Sequence, residues 1–212
     1  MLDTPIDVAA SMATFTSHAG FTQQHAGLNM WKSAADLDRY RHIIEADRPE
    51  VVVEAGTRWG GTAAWIADSF GVEVVTVDIA EPAFEAQCWP GVTFVLGSSV
   101  APDIVDRVTK LVDGRRCMVI LDSDHHGPHV EAEIRAYGPH VTPGCHLVVE
   151  DGLADLVNSK HARRFGRQIP AVGGPLVAIV RTLVGVEGWV RDLEVEALSR
   201  VSHSPGGWWR RV

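Results

Sequence analysis

Three carboxylates and a histidine carry the clearest chemistry in this chain. Met118-Val119-Ile120-Leu121 is an apolar run, short enough for a strand buried on both faces, and it stops abruptly at Asp122. His146-Leu147-Val148-Val149 stops in the same way at Glu150 and Asp151. Between the two runs, Pro128 to Tyr137 has helical character with Val130, Ile134 and Tyr137 on one face, and Pro139, Pro143 and Gly144 punctuate the return. A right-handed crossover makes the strands parallel, and as neighbours their tips lie about 4.8 Å apart. Asp122, Glu150 and Asp151 are therefore expected to converge. Three carboxylates at one sheet edge repel unless protonated or bridged by a cation, and an all-oxygen cluster suits Mg²⁺ or a similar hard ion. The same residues equally fit a helix cap at Asp122 followed by a solvated turn at Glu150-Asp151.

A second chemical stretch precedes them. Val51-Val52-Val53-Glu54-Ala55-Gly56-Thr57-Arg58-Trp59-Gly60-Gly61-Thr62 reads as a strand, a glycine turn and the start of a helix running from Thr62 to Phe70. That is the layout of a nucleotide-type cofactor site, where backbone must approach the ligand closely. The next strand, Glu73 to Val77, ends at Asp78, where an acidic residue would hydrogen-bond ribose hydroxyls. A dinucleotide turn wants Gly-x-Gly-x-x-Gly, but Arg58 holds the second glycine position, and Glu54 adds an anion that phosphates would avoid. A ligand bearing an ammonium and a sulfonium tolerates that anion, so S-adenosylmethionine fits better than NAD. Val92 to Leu96 is a third strand, followed by Gly97-Ser98-Ser99. Those serines suit either an adenine edge or the N-cap of a helix from Pro102 to Val112.

The elements that must position these groups form one domain with room for a full core, since 46% of the 212 residues are hydrophobic. Residues 1–35 read as an arm without clear period, whose expected job is to cover something, and 36–212 as the domain proper. Asp36 to Ala46 is an expected amphipathic helix, Leu176 to Val186 a helix, and Trp189 to Val195 and Leu198 to His203 strands. Residues 152–173, with Lys160, His161, Arg163, Arg164 and Arg167, read as a lid over the site or a solvated loop. Trp208-Trp209-Arg210-Arg211 at the end suggests a subunit contact and hence a homo-oligomer. The net charge of -8 argues against general affinity for nucleic acid or anionic membrane. Cys88, Cys117 and Cys145 lack paired zinc spacing and read as reduced, buried thiols. With no signal-peptide pattern and no run of about 20 apolar residues, the expectation is a soluble cytoplasmic protein.

Taken together, Trp31-Lys32 with Asp36-Leu37 and Tyr40, Val53 to Thr57 with Gly60-Gly61-Thr62, Leu121-Asp122 with His125, and Val148 to Asp151 resemble a known family. It is the cephalosporin hydroxylase / rhamnosyl O-methyltransferase group of class I S-adenosylmethionine-dependent methyltransferases. Gly174-Pro175-Leu176 and Arg210-Arg211-Val212 extend the resemblance over most of the chain. It implies an α/β fold: a doubly wound, mostly parallel, seven-stranded Rossmann-like methyltransferase sheet with helices on both faces. Cofactor and metal would meet where the strand order reverses. The layout is also similar to that of catechol-type methyltransferases, which usually place an asparagine after the acid; the acid pair here matches the sugar-directed relatives and points away from catechols.

The resemblance implies that Glu54, Gly56, Thr57, Gly60, Thr62, Asp78, Ser98, Ser99 and Asp122 hold S-adenosylmethionine, while Asp122, Glu150 and Asp151 hold Mg²⁺. His125 is then the base for a hydroxyl of a small molecule, a sugar or glycosylated secondary metabolite, with a phenol as the other candidate. His126 and His129 either brace that site or merely enter the helix. Two rivals remain. Asp124, His125 and His129 would serve a non-haem iron hydroxylase; alternatively, the chain binds S-adenosylmethionine or a nucleotide without catalysis.

Overall fold

The computed structural model describes residues 4–16, 22–82, 84–156 and 173–212. In chain order the elements begin with α1 (Val8–Thr16), the hairpin β1 (Thr22–His25) and β2 (Leu28–Trp31), α2 (Ala34–Asp47), β3 (Val51–Ala55) and α3 (Gly61–Phe70). There follow β4 (Glu73–Asp78), α4 (Phe84–Gln87), β5 (Val92–Leu96), α5 (Pro102–Val112), β6 (Cys117–Leu121), α6 (Gly127–Tyr137) and β7 (His146–Val149). The short α7 (Leu153–Leu156), α8 (Pro175–Thr182), β8 (Trp189–Arg191), α9 (Leu193–Glu196) and β9 (Trp208–Arg211) follow among the described residues, with a 3-10 turn at Gly138–His140 after α6.

Unbroken apolar runs take the middle of a sheet, where both faces are covered. β3, β6 and β7 are buried at every residue. The seven-stranded order is β5-β4-β3-β6-β7-β9-β8; β5 to β7 run parallel, and β9 and β8 are antiparallel to their neighbours. This is the expected doubly wound α/β sheet. Its order reverses between β3 and β6, which opens a crevice at their carboxyl ends.

The period of two along each strand divides the core. Val51, Val53, Val119, Leu121, Leu147 and Val149 pack on the face covered by α5, α6 and α8. Val52, Met118, Ile120, Val148 and Trp208 pack on the opposite face, with Tyr40, Ile43 and Ile44 of α2 and Ile66 of α3. Helix ends follow local chemistry. Ser33 caps α2 by accepting from the Asp36 N–H at 3.1 Å, Arg48 ends it in a left-handed turn before Pro49, and Pro102 opens α5.

Five expectations need correction. The stretch read as an arm contains a helix and a hairpin, β1 and β2 pack on α3, and Ile6, Ser11 and Met30 are buried. Strand structure ends at Arg191, because Asp192 accepts from the Val195 N–H at 2.9 Å and turns the chain into α9. Residues 198–203 form no strand: the buried Arg39 guanidinium takes the carbonyls of Val195, Glu196, Ser199 and Val201 that a ladder would otherwise satisfy. Trp208 and Trp209 are buried in β9, not exposed for a partner, which withdraws the reason given for a subunit contact. Cys117 and Cys145 are buried, and burial pushes their thiols up to about 12 and about 11; Cys88 is exposed, contrary to expectation. No helix among the described residues is long and apolar enough to cross a membrane.

Candidate active site

The tips of β3, β6 and β7 are stitched together by backbone. The Asp122 N–H donates to Ala55 at 2.8 Å and the Glu150 N–H to Leu121 at 2.9 Å. Gly56 closes the same corner at φ 102°, and a Cβ there would lie 2.0 Å from the Asp122 carbonyl oxygen, so only glycine lets the turn lie this close to β6.

The three acids do converge on this edge, but in two sets that share Asp122. His125 Nε2 lies 2.9 Å from Asp151 Oδ2 and 4.0 Å from Asp122 Oδ1. Asp122, His125 and Asp151 each offer one ligand atom, all within 4.8 Å of one another. Glu150 belongs to the other set. Its Oε1 lies 3.0 Å from Lys32 Nζ and accepts from the Tyr40 hydroxyl, while Lys32 also bonds Asp122 Oδ2. Adjacent residues at a strand end leave on opposite sides, so Glu150 follows Val148 toward α2. Asp151 turns away in a left-handed conformation, φ 59°, which is uncommon outside glycine and which aspartate tolerates better than most residues.

Electrostatics follow from burial. Burial alone would lower the Lys32 ammonium, but Asp122, Glu150 and Glu54 outweigh it and hold the group above the usual lysine range. Burial, with the charge of Asp122, pushes Glu150 well above the carboxylate range. Glu54, buried against the Thr76 hydroxyl at 2.6 Å, is pushed up to about 7 by burial.

A cleft of about 680 Å³ runs from Asp122 and Asp151 past Gly56 and Asp78 to Ser98 and Ser99, a volume suited to a nucleoside-sized ligand. Asp78 lines it and accepts the Arg58 N–H at 2.8 Å and the Ala80 N–H at 3.0 Å. Arg58, at φ 49°, stacks on Trp31 at 3.9 Å and on Trp59 at 4.3 Å. Glu54, Thr57, Gly60 and Thr62 stand behind the cleft wall. Thr57 bonds Thr76 at 2.7 Å and Gly60 starts α3. Neither serine caps α5, whose N-cap is Ala101.

Ser99 answers to a different partner. Its hydroxyl and that of Ser123 both donate to Glu133 Oε1 at 2.5 Å, and His129 Nε2 lies 3.1 Å from Ser99 Oγ and 3.4 Å from that carboxylate. Glu133 is fully buried, and its Oε2 has no hydrogen-bond partner among the described residues. Asp124 pairs instead with the exposed His126. The iron set is thus dispersed over three partnerships, and among the described residues the only group spaced to hold a metal is Asp122, His125 and Asp151. Lys160, His161, Arg163, Arg164 and Arg167 lie outside the described residues.

The family model described as rhamnosyl O-methyltransferase/CmcI matches residues 19–212. This chain belongs to that family. Among relatives, a rhamnosyl O-methyltransferase of Mycobacterium tuberculosis (strain ATCC 25618 / H37Rv) is 37% identical over 136 residues, 60% of this chain and 56% of its own length. One of Mycobacterium leprae (strain TN) is 33% identical over 161 residues, 72% of this chain and 67% of its own length. The match to the first of these thus spans little more than half of the relative. A CmcI structure described as holding Mg and SAM shares the fold at a TM-score of 0.61, with 18% identity over 90% of this chain and 76% of that one. The MycE methyltransferase from the mycinamycin biosynthetic pathway, in complex with Mg and SAH, gives a TM-score of 0.54 at 20% identity, over 87% of this chain and 45% of that one.

In this chain, Lys32 and Tyr40 entered the sequence reading as carriers of the family resemblance, and no site role was assigned to them or to Glu133. Nothing local links residue 32 to residue 122. The available signal was a lone lysine just before the helix-capping Ser33 and a carboxylate on the apolar face of α6, one turn from Val130 and Tyr137.

Proposed function

We propose that this chain is an S-adenosylmethionine-dependent O-methyltransferase that uses Mg²⁺ or a similar divalent cation and methylates a hydroxyl of a sugar or glycosylated metabolite. The observation that carries the reading is the trio Asp122, His125 and Asp151 at the end of a cleft that continues to Gly56, Asp78 and Ser99. Sugar as acceptor draws support from the rhamnosyl relatives.

The residues fit such a cation: Asp122 and Asp151 are the carboxylates best placed to hold it, and Glu150 is the third, now engaged by Lys32. When bound, the ion lowers the pKa of a hydroxyl brought to it, and the sulfonium supplies a methyl group open to attack. Gly56 and Asp78 line the cleft where they would hold the donor, and Ser98 and Ser99 line the same cleft and would meet its nucleoside end. Asp122 and Asp151 fix where the acceptor hydroxyl sits. His125 faces both carboxylates and would take the proton of a hydroxyl held there; the donor, when bound, would supply the methyl group to that oxygen, with the electrons of the methyl–sulfur bond returning to sulfur.

The test is methyl transfer to a rhamnosyl acceptor with and without EDTA. Full turnover in EDTA sinks the metal role. A second role for His125, as a third ligand, is favoured by its place within the trio. Calorimetry on His125→Ala separates the two: Mg²⁺ affinity kept with turnover lost marks a base, both lost marks a ligand. Cofactor binding with no Mg²⁺ uptake and no methylated product would return the chain to a binding protein.

A further inference from the structure

One lysine ammonium sits where the sequence called for a bridging cation. Lys32 is 3% exposed; its Nζ contacts Asp122 Oδ2 and lies 3.0 Å from Glu150 Oε1. The group is not a wandering surface charge. Met30, two residues earlier, is buried against α3, and Ser33, one residue later, caps α2, so the backbone on both sides of Lys32 is pinned. The same helix sends the Tyr40 hydroxyl to Glu150. Two carboxyl groups that would otherwise crowd like charge at the sheet edge are thus held by a cation and a hydroxyl from the N-terminal elements.

Asp122 joins the two sets because its two oxygens face different ways. Oδ2 is on Lys32, and Oδ1 looks toward His125. A divalent ion held by Asp122 and Asp151 would share one carboxylate with a fixed positive charge, and two cations on one carboxylate weaken each other's hold. We propose that Lys32 is the resident counter-cation of this edge: a positioning residue that keeps Asp122 and Glu150 aligned while the metal is away and lowers Mg²⁺ affinity so that the ion remains exchangeable. This rests on the metal reading given above. It adds that the N-terminal hairpin, and not only the strand tips, sets how tightly the ion binds.

The experiment compares wild type, Lys32→Gln and Lys32→Arg by Mg²⁺ calorimetry and by melting with and without the ion. The expected result is that Lys32→Gln melts lower without metal, binds Mg²⁺ about tenfold more tightly, and gains more from the ion than wild type does. Lys32→Arg, which keeps the charge, stays near the wild-type affinity. A purely structural lysine would lower melting but leave affinity unchanged, and that outcome overturns the inference while the metal reading stands. A wild-type chain that takes up no Mg²⁺ overturns both. Should Lys32→Gln fail to fold, the wild-type protein still decides. The chain holds only three lysines, Lys32, Lys110 and Lys160, so side-chain ¹³C labelling gives three signals, assigned by Lys110→Arg and Lys160→Arg. Mg²⁺ is expected to shift the Lys32 signal; a signal that stays put sinks the proposal.

Discussion

Glu150 and Glu133 are both carboxylates buried behind the wall of one cleft, Glu150 beside Lys32, which also holds Asp122, and Glu133 beneath Ser99, Ser123 and His129, yet the fold treats them in opposite ways. Glu150 faces an ammonium, a phenol and a second acid; Glu133 is fed by two serine hydroxyls and a histidine, with one oxygen unpartnered among the described residues. A carboxylate beside a fixed cation and an open acid is suited to trade partners with an ion. One clamped by short neutral donors is suited to hold side chains still. The difference teaches that burial alone does not mark the reacting end of a cleft. What marks it is an excess of like charge that the protein only partly neutralises.

The comparison breaks most clearly at Asp122. Asp122→Asn is expected to cut methyl transfer by roughly 10³-fold, whereas Glu133→Gln is expected to cost less than about tenfold; steady-state rates on one acceptor decide. Equal losses would put both carboxylates in one functional unit. Next come binding and stability. Glu133→Gln should leave Mg²⁺ affinity intact, weaken S-adenosylhomocysteine about tenfold through Ser99 and His129, and destabilise the fold by about 1–3 kcal/mol in urea. Glu150→Gln should do the reverse, altering Mg²⁺ affinity more than cofactor affinity.

Two smaller effects sharpen the contrast through pH. Glu54, on the Lys32 side, is raised by burial from 4.5 to about 7, so its neutral form is the one the fold favours. Its contribution to stability is full below pH 4.5 and lost as pH rises through about 7. Glu54→Gln should flatten that decline in metal-free protein, as followed by urea midpoints; an unchanged slope would assign it elsewhere. His129, on the Glu133 side, is held above its ordinary value of 6.5 chiefly by its hydrogen bond to Glu133, so its contribution is present below 6.5 and fades as pH passes the raised value. Glu133→Gln should bring the imidazole back toward 6.5 in an NMR titration.

Much of the parallel sheet was legible because its strands are near-continuous apolar runs ending in polar residues, and α5 was bounded correctly by Pro102. The far side was less so. β9 carries two tryptophans that look exposed in a list of residues, and only Gly207, whose Cβ would lie 2.0 Å from Val149 O, betrays how closely that segment passes β7. The meeting of Asp122, Glu150 and Asp151 at one edge followed from topology. Their division into two sets did not, because it depends on side-chain parity at a strand end, on the left-handed turn at Asp151 and on a lysine arriving from 90 residues away.

The interleaving of β9 between β7 and β8 has a kinetic consequence. β7 meets β9 across some sixty residues of intervening chain, with Val148 opposite Trp208, whereas β6 lies a short crossover away. During refolding β7 therefore stands for a time as an open edge, its amides ready to pair with a neighbouring molecule. The late arrival of one short ribbon would then govern whether the nascent sheet closes on itself or associates into aggregates.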